Sequence, residues 1–205
     1  VHPERQREPH PHAFVISPDN RHAYVPDLGL DQILCYRLDP RKAQLQPARQ
    51  PFVRTAPGSG PRHLAFHPGG KRLYVINELA NSVTHFDHDP RDGMLVERQT
   101  LSTLPPDFRG VSHCADLKIT PDGRFLYGTN RGHDSLACYR LDEDGRLTLL
   151  EIRPSLGAGP QNLAITPDGR WLLCANMPGN NLAVFRIREE TGRLEPTGEP
   201  IAQKS

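Results

Sequence analysis

The sequence contains no apolar run longer than a handful of residues, far short of the ~20 that a membrane-spanning helix needs. It also lacks a basic start followed by an apolar core, so no signal peptide is legible and the cytosol is the expected compartment. No sign of charge dominates: 25 basic and 24 acidic side chains leave a formal net charge of +1, which offers no broad footprint for nucleic acid or a membrane surface. Cysteine is scarce and unpatterned. Cys35, Cys114, Cys138 and Cys174 show neither C-x-x-C spacing nor the density of a secreted disulfide scaffold, and read as reduced thiols. P-loop, G-x-G-x-x-G and G-x-S-x-G motifs are all missing, so nucleotide, dinucleotide and acyl-enzyme chemistry have no motif support.

What the sequence has in quantity is punctuation. Its 205 residues include 21 prolines and 17 glycines, while 36% of residues are apolar, which predicts many short elements joined by turns rather than long helices or wholesale disorder. The opening segment, VHPERQREPHPH, begins at a valine and has no apolar period of its own.

Beyond it the sequence repeats itself four times, anchored on Pro18, Pro68, Pro121 and Pro167 at spacings of 50, 53 and 46 residues. Two and four residues before each proline stand Ile16 and Phe14, Phe66 and Leu64, Ile119 and Leu117, and Ile165 and Leu163, the period of two of a strand with one buried face. A Pro-Asp-Gly or Pro-Gly-Gly type of turn follows. A second strand then carries Tyr24, Tyr74, Tyr127 and Leu173, and a third carries Tyr36, Phe86, Tyr139 and Phe185. Length variation is confined to a fourth, outer strand around Leu45, Leu95, Leu147 and Leu194. Four antiparallel strands in a unit of about 50 residues make the blade of a β-propeller, because a sheet that size must stack on others to bury its faces. The predicted fold is therefore all-β, one partial propeller domain over 1–205 with blades at roughly 12–55, 62–105, 114–155 and 161–200. Neither the Trp-Asp signature of WD40 blades nor a double glycine in every repeat, as in kelch, is present.

Residues that recur in every blade serve the blade, so chemistry is sought where equivalent positions differ. Nine residues after the proline stand Asp27, Asn77, Asn130 and Asn176, which fit an Asx side chain closing the turn between second and third strands. One residue further on are Leu28, Glu78, Arg131 and Met177, and six before the proline are His12, Arg62, Ala115 and Gln161; neither set shares a chemistry. Antiparallel pairing brings these two positions to the same end of a blade. His12, Arg62, Glu78 and Arg131 are thus candidates to converge over the propeller mouth, supplying a base that titrates near neutrality, two fixed cations and an orienting acid. Taken singly, each such residue is more often a solvated loop charge than a catalytic group, and Glu78 with Arg131 fits a surface ion pair. His63 should point to the opposite face of its strand from Arg62, a weaker candidate. Asp116 is an unusual acid where the other blades have Ala13, His63 and Asn162, and suits a buried hydrogen-bonding role as well as a substrate contact. His2, His10 and His12 form a histidine-rich tract, but no second half of a zinc site follows it, and no metal or organic cofactor is expected. Cys35 and Cys138, in the third strand beside Tyr36 and Tyr139, suit small buried thiols.

Three stretches carry a family resemblance: GPRHLAFHPGGKRLYVINELANSV at 60–83, ADLKITPDGRFLYGTNR at 115–131 and GPQNLAITPDGRWLLCAN at 159–176. Together they resemble the bacterial 6-phosphogluconolactonases of the seven-bladed lactonase propeller family, which also includes a fungal muconate-lactonizing enzyme. The resemblance runs over about 10–199. Matched by motif position it implies an active site of His12, Arg62, Glu78 and Arg131; the candidate substrate contacts are Arg62 and Arg131, with His63 and Asp116 added from the comparison of the repeats. It implies hydrolysis of a phosphorylated sugar lactone, 6-phosphogluconolactone to 6-phosphogluconate of the pentose phosphate pathway, with that small molecule as the partner and neither nucleic acid nor membrane. Seven blades need about 350 residues, so the four repeats are expected to be the C-terminal part of a longer lactonase, with two blade faces left open. A non-catalytic propeller scaffold and a lactone-forming isomerase on the same site are the alternatives.

Overall fold

The computed structural model describes residues 1–203; the last two residues of the expected 1–205 domain, Lys204 and Ser205, lie outside them. All regular structure among the described residues is β, and it falls into four antiparallel sheets in chain order, as the repeats predict. The first sheet holds β1 (Val15–Ile16), β2 (His22–Asp27), β3 (Gln32–Asp39) and β4 (Gln44–Arg54). The second holds β5 (Pro61–Phe66), β6 (Arg72–Asn77), β7 (Ser82–His88) and β8 (Leu95–Ser102). The third holds β9 (His113–Ile119), β10 (Phe125–Arg131), β11 (Ser135–Leu141) and β12 (Leu147–Pro154). The fourth holds β13 (Pro160–Ile165), β14 (Trp171–Asn176), β15 (Asn181–Ile187) and β16 (Leu194–Pro196), with β17 (Ile201–Ala202) also paired to β15. Each anchor proline lies in the turn between the first and second strands of its sheet, and the residue two places on is left-handed every time: Asn20, Gly70, Gly123 and Gly169, with φ between 58° and 77°. Asparagine and glycine are the residues that enter that region at least cost.

The chain divides into two compact units, Val1–Thr100 and Leu101 onward. In the first unit Tyr24, Ile33 and Cys35 of the first sheet pack on Leu64, Leu73, Val75 and Phe86 of the second. In the other, Phe125, Tyr127, Leu136 and Cys138 of the third sheet pack on Leu163, Leu172, Cys174 and Phe185 of the fourth. One bond recurs in both. Tyr24 donates its hydroxyl to the Gly93 carbonyl at 2.9 Å, and Tyr127 donates to Gly192 at 2.8 Å, so a buried phenol ties each second strand to an outer turn of the next sheet. The cysteines are buried free thiols, and burial raises Cys35 and Cys174 to about 12, which keeps them protonated and inert.

Two features depart from the simple strand pattern. In the first sheet the inner strand shrinks to Val15 and Ile16; Val15 packs on the core, while Phe14 and Ile16, the residues expected to face inward, are 52% and 43% exposed. In the other sheets the inner strand is bulged. Register slips between Pro61 and His63, between Cys114 and Leu117, and between Pro160 and Asn162, so Arg62, the Ala115–Asp116 step and Gln161 stand outside the regular ladder. Such a bulge re-aims a side chain that strict alternation would send to the far face.

Candidate active site

In the first unit the site is built at the end of the second sheet where β5 begins and β6 ends. Pro61 pairs with Asn77, and Gly60, in the left-handed region at φ 61°, accepts the Glu78 amide at 2.7 Å. Arg62 sits in the bulge and Glu78 is the first residue past β6, so the two variable positions meet: Arg62 Nε lies 2.8 Å from Glu78 Oε2. Asn77 below them is buried and donates to Ser82 and Thr84 at 3.0 and 2.9 Å, the turn-closing role expected of that position.

The bulge also corrects the place of His63. Two residues that alternation would separate share a side here, and His63 Nε2 is 3.0 Å from Arg62 Nη1. His12 approaches from the first sheet, its amide bonded to the Pro26 carbonyl at 3.2 Å. Although its side chain reaches solvent, desolvation holds the imidazole below its ordinary value of 6.5; the Arg62 charge adds to this, Glu78 opposes it, and His63 and Arg5 add smaller lowering contributions. The site thus biases the His12 imidazole toward its neutral form.

Arg5 was invisible to the repeat comparison, because it lies in the opening segment and has no counterpart in any blade. Its Nη2 stands 2.6 Å from Glu78 Oε1. Glu78, only 2% exposed, thus has one oxygen on each of two guanidiniums.

The remaining predicted residues belong to the other unit. Arg131 ends β10 and donates to the carbonyls of His113 and Cys114 at 3.2 and 2.9 Å, with a longer 3.4 Å contact to Gln161 Oε1, the residue at the Arg62 position of the fourth sheet. Asp116, 1% exposed, accepts from Lys118 Nζ at 2.7 Å, from Asn162 Nδ2 at 3.0 Å and from the Leu163 amide at 2.9 Å. Those bonds join the third sheet to the fourth, which is the buried hydrogen-bonding role rather than an open substrate contact. Among the described residues no three His, Cys, Asp or Glu side chains are grouped to hold a metal ion, and no helix is long and apolar enough to cross a membrane. Cavities of about 560 and 490 Å³ lie at outer turns, around Arg186 and Glu190 and around Lys71 and Met94, and none of the site residues lines them.

The model of the lactonase family, described as a seven-bladed β-propeller, matches residues 1–205. The chain belongs to that lactonase family. It is 36% identical over 192 residues to the 6-phosphogluconolactonase of Bacillus subtilis strain 168, covering 93% of this chain and 54% of that one. It is 42% identical over 135 residues to the 6-phosphogluconolactonase of Serratia proteamaculans strain 568, covering 66% of this chain and 40% of that one. The solved structure of the periplasmic gluconolactonase of Pseudomonas aeruginosa superposes with a TM-score of 0.92 at 37% identity, over 99% of this chain and 57% of its own. The chain thus spans about half the length of the curated relatives it matches.

Proposed function

We propose that the whole protein of which this chain forms all or part hydrolyses a sugar-acid lactone, with 6-phosphogluconolactone as its substrate. The observation that carries the reading is the Arg5–Glu78–Arg62 cluster beside a histidine biased toward its neutral form by its surroundings. Lactone hydrolysis needs a base for water, a cation for the oxygen that becomes negative, and something to hold the acid end of the sugar. In this reading His12 takes a proton from water as its oxygen attacks the ester carbonyl carbon. The carbonyl oxygen becomes the oxyanion of the tetrahedral intermediate and faces Arg62. When the ring C–O bond breaks, the leaving alkoxide recovers the proton from the His12 imidazolium, so the base is restored and one water is consumed. Glu78 acts by fixing guanidiniums, and His63, bonded to Arg62, helps hold that arginine in place.

Arg131 is kept as a second substrate cation on its repeat position, with the long contact to Gln161 the one it would exchange for a ligand. No metal or organic cofactor enters the reading, and the acid, base and cation roles fall to side chains alone. The relatives named as 6-phosphogluconolactonases support the phosphorylated lactone, and the gluconolactonase structure supports the unphosphorylated parent. The free thiols favour the cytosol, in contrast to the periplasmic relative from Pseudomonas aeruginosa.

The test is turnover of 6-phosphogluconolactone and of gluconolactone, followed by acid release, by this chain and by the longest open reading frame that contains it. His12→Ala should abolish most of the rate while far-UV circular dichroism stays that of a β protein. Equal turnover by wild type and His12→Ala would remove the base from this mechanism, and no turnover by either protein would leave the scaffold reading in its place.

A further inference from the structure

A buried carboxylate needs one cation to neutralise it, and Glu78 already has Arg62 at 2.8 Å, itself only 10% exposed. The second cation is surplus to that need. Arg5 brings the cluster to a net positive charge, and its side chain is 40% exposed. Only Nη2 is spent on Glu78; Nε and Nη1 meet no acceptor among the described residues. A guanidinium fixed at one corner, with donors turned outward, matches the two-oxygen edge of a carboxylate or phosphoryl group.

The opening segment is built to hold that arginine where it is. The amide of Arg5 donates to His2 Nδ1 at 3.1 Å and the Gln6 amide to the His2 carbonyl at 3.1 Å, which folds the segment into a turn. Gln6 Nε2 donates to the Leu28 carbonyl at 2.9 Å, Leu28 donates to the His10 carbonyl at 3.0 Å, and the His10 amide donates to Asp27 Oδ1 at 2.8 Å. The segment passes so close over the turn after β2 that a Cβ on Gly29 would lie within 1.8 Å of the Glu8 carbonyl oxygen. Leu28 is fully buried in this arrangement.

We propose that Arg5 is a substrate-binding residue, the outward half of a two-guanidinium receptor that Glu78 holds for an anionic group of the ligand. This rests on the lactonase reading for the identity of the ligand, but its geometry stands apart from the His12 chemistry. Two sources carry the recognised group, the phosphoryl of a phosphorylated sugar acid and the carboxylate that ring opening creates.

The experiment is calorimetric titration of the wild-type chain, Arg5→Ala, Arg5→Gln, Arg5→Lys and Gly29→Ala with inorganic phosphate, gluconate and 6-phosphogluconate at one ionic strength. Losing one charge-assisted pair should weaken 6-phosphogluconate about 10- to 100-fold in Arg5→Ala and Arg5→Gln, and less in Arg5→Lys, which keeps charge without the fork. Gly29→Ala should reproduce part of the loss without touching a charged residue, by lifting the segment. A loss confined to phosphate and 6-phosphogluconate identifies the phosphoryl group, and a loss shared by gluconate and 6-phosphogluconate but not by phosphate identifies the carboxylate; both support the receptor. Wild-type affinity in folded Arg5→Gln overturns it, as does a wild-type chain that binds none of the three anions. Turnover is scored separately: Arg5-dependent anion binding without lactone hydrolysis keeps the receptor and removes the lactonase reading, whereas hydrolysis indifferent to Arg5 does the reverse.

Discussion

Replacing Glu78 by glutamine keeps the shape of the side chain and removes its negative charge. One amide oxygen can still accept from a guanidinium, but the other corner becomes an NH2 that faces a donor. Breaking a buried ion pair from one side costs about 3–5 kcal/mol when the orphaned charge stays buried. Here the two arginines differ: Arg62 is nearly enclosed and bears that penalty, whereas Arg5 is exposed enough to rehydrate. The retained amide bond and the rehydration bring the expected loss to about 2–3 kcal/mol, below the range for a fully enclosed pair. At about 2–4 °C per kcal/mol for a chain of this size, the melting midpoint should fall by roughly 4–12 °C. A double-mutant cycle with Arg5→Ala, read by urea unfolding, should show coupling of about 1 kcal/mol between the two positions. In the rate profile the sign is also fixed. Glu78 raises the His12 value against the lowering by burial and Arg62, so Glu78→Gln should carry the acid limb of kcat/KM to lower pH, and Arg62→Ala should carry it to higher pH. A Glu78→Gln protein within about 0.5 kcal/mol of wild type, uncoupled from Arg5, would refute the account of Glu78 as the holder of both arginines.

His12→Ala should lower kcat/KM about 10²- to 10⁴-fold, and the wild-type acid limb should lie below pH 6.5 because the folded imidazole is held under that value. His22 is a second histidine kept low by burial, facing Asp19, Arg21, His88 and Asp92 and abutting Gly93. Its unfolded form binds the proton more readily, so the stability it permits is complete above about pH 6.5 and falls as pH drops through that point. His22→Phe, the residue the third sheet has at this place in Phe125, should flatten the pH dependence of urea unfolding between pH 7.5 and 5; an unchanged slope would show that His22 does not carry it. Asp116→Ala should cost about 1–3 kcal/mol, since it strands the buried Leu163 amide while the Lys118 ammonium, 38% exposed, rehydrates, and Asp116→Asn should recover part of it in the same unfolding assay.

The blades were legible because they repeat, and repetition exposes backbone needs that single residues conceal. Pro18 and its three equivalents mark the turns, the residues two places on are asparagine or glycine because the chain there is left-handed, and the Asx set at Asp27, Asn77, Asn130 and Asn176 bonds across the turns. The Arg62–Glu78 pair was readable for the same reason, from antiparallel pairing alone. His63 was not, because strict alternation takes no account of a bulge, and nothing in its residue type announces the one at Arg62. Arg5 was missed on different grounds: comparison among copies cannot see a residue that no copy contains. Phe14 and Ile16 show the limit of a period of two, which identifies two faces but not which one a neighbouring sheet covers.

The bulged inner strands make the residue at their kink a replaceable part. Because Arg62 and Gln161 sit outside the ladder, neither contributes a backbone pair whose register a new side chain could disturb, while Pro61 and Pro160 just before them keep theirs. The same socket holds an arginine, an alanine and a glutamine in the three sheets whose inner strand is bulged. Such a layout lets a side chain be exchanged one position at a time without shifting the register of the strand that carries it. A designer seeking a new specificity on this scaffold would begin by exchanging the half-buried Gln161, and would leave the fully buried Ala115 and the turns alone.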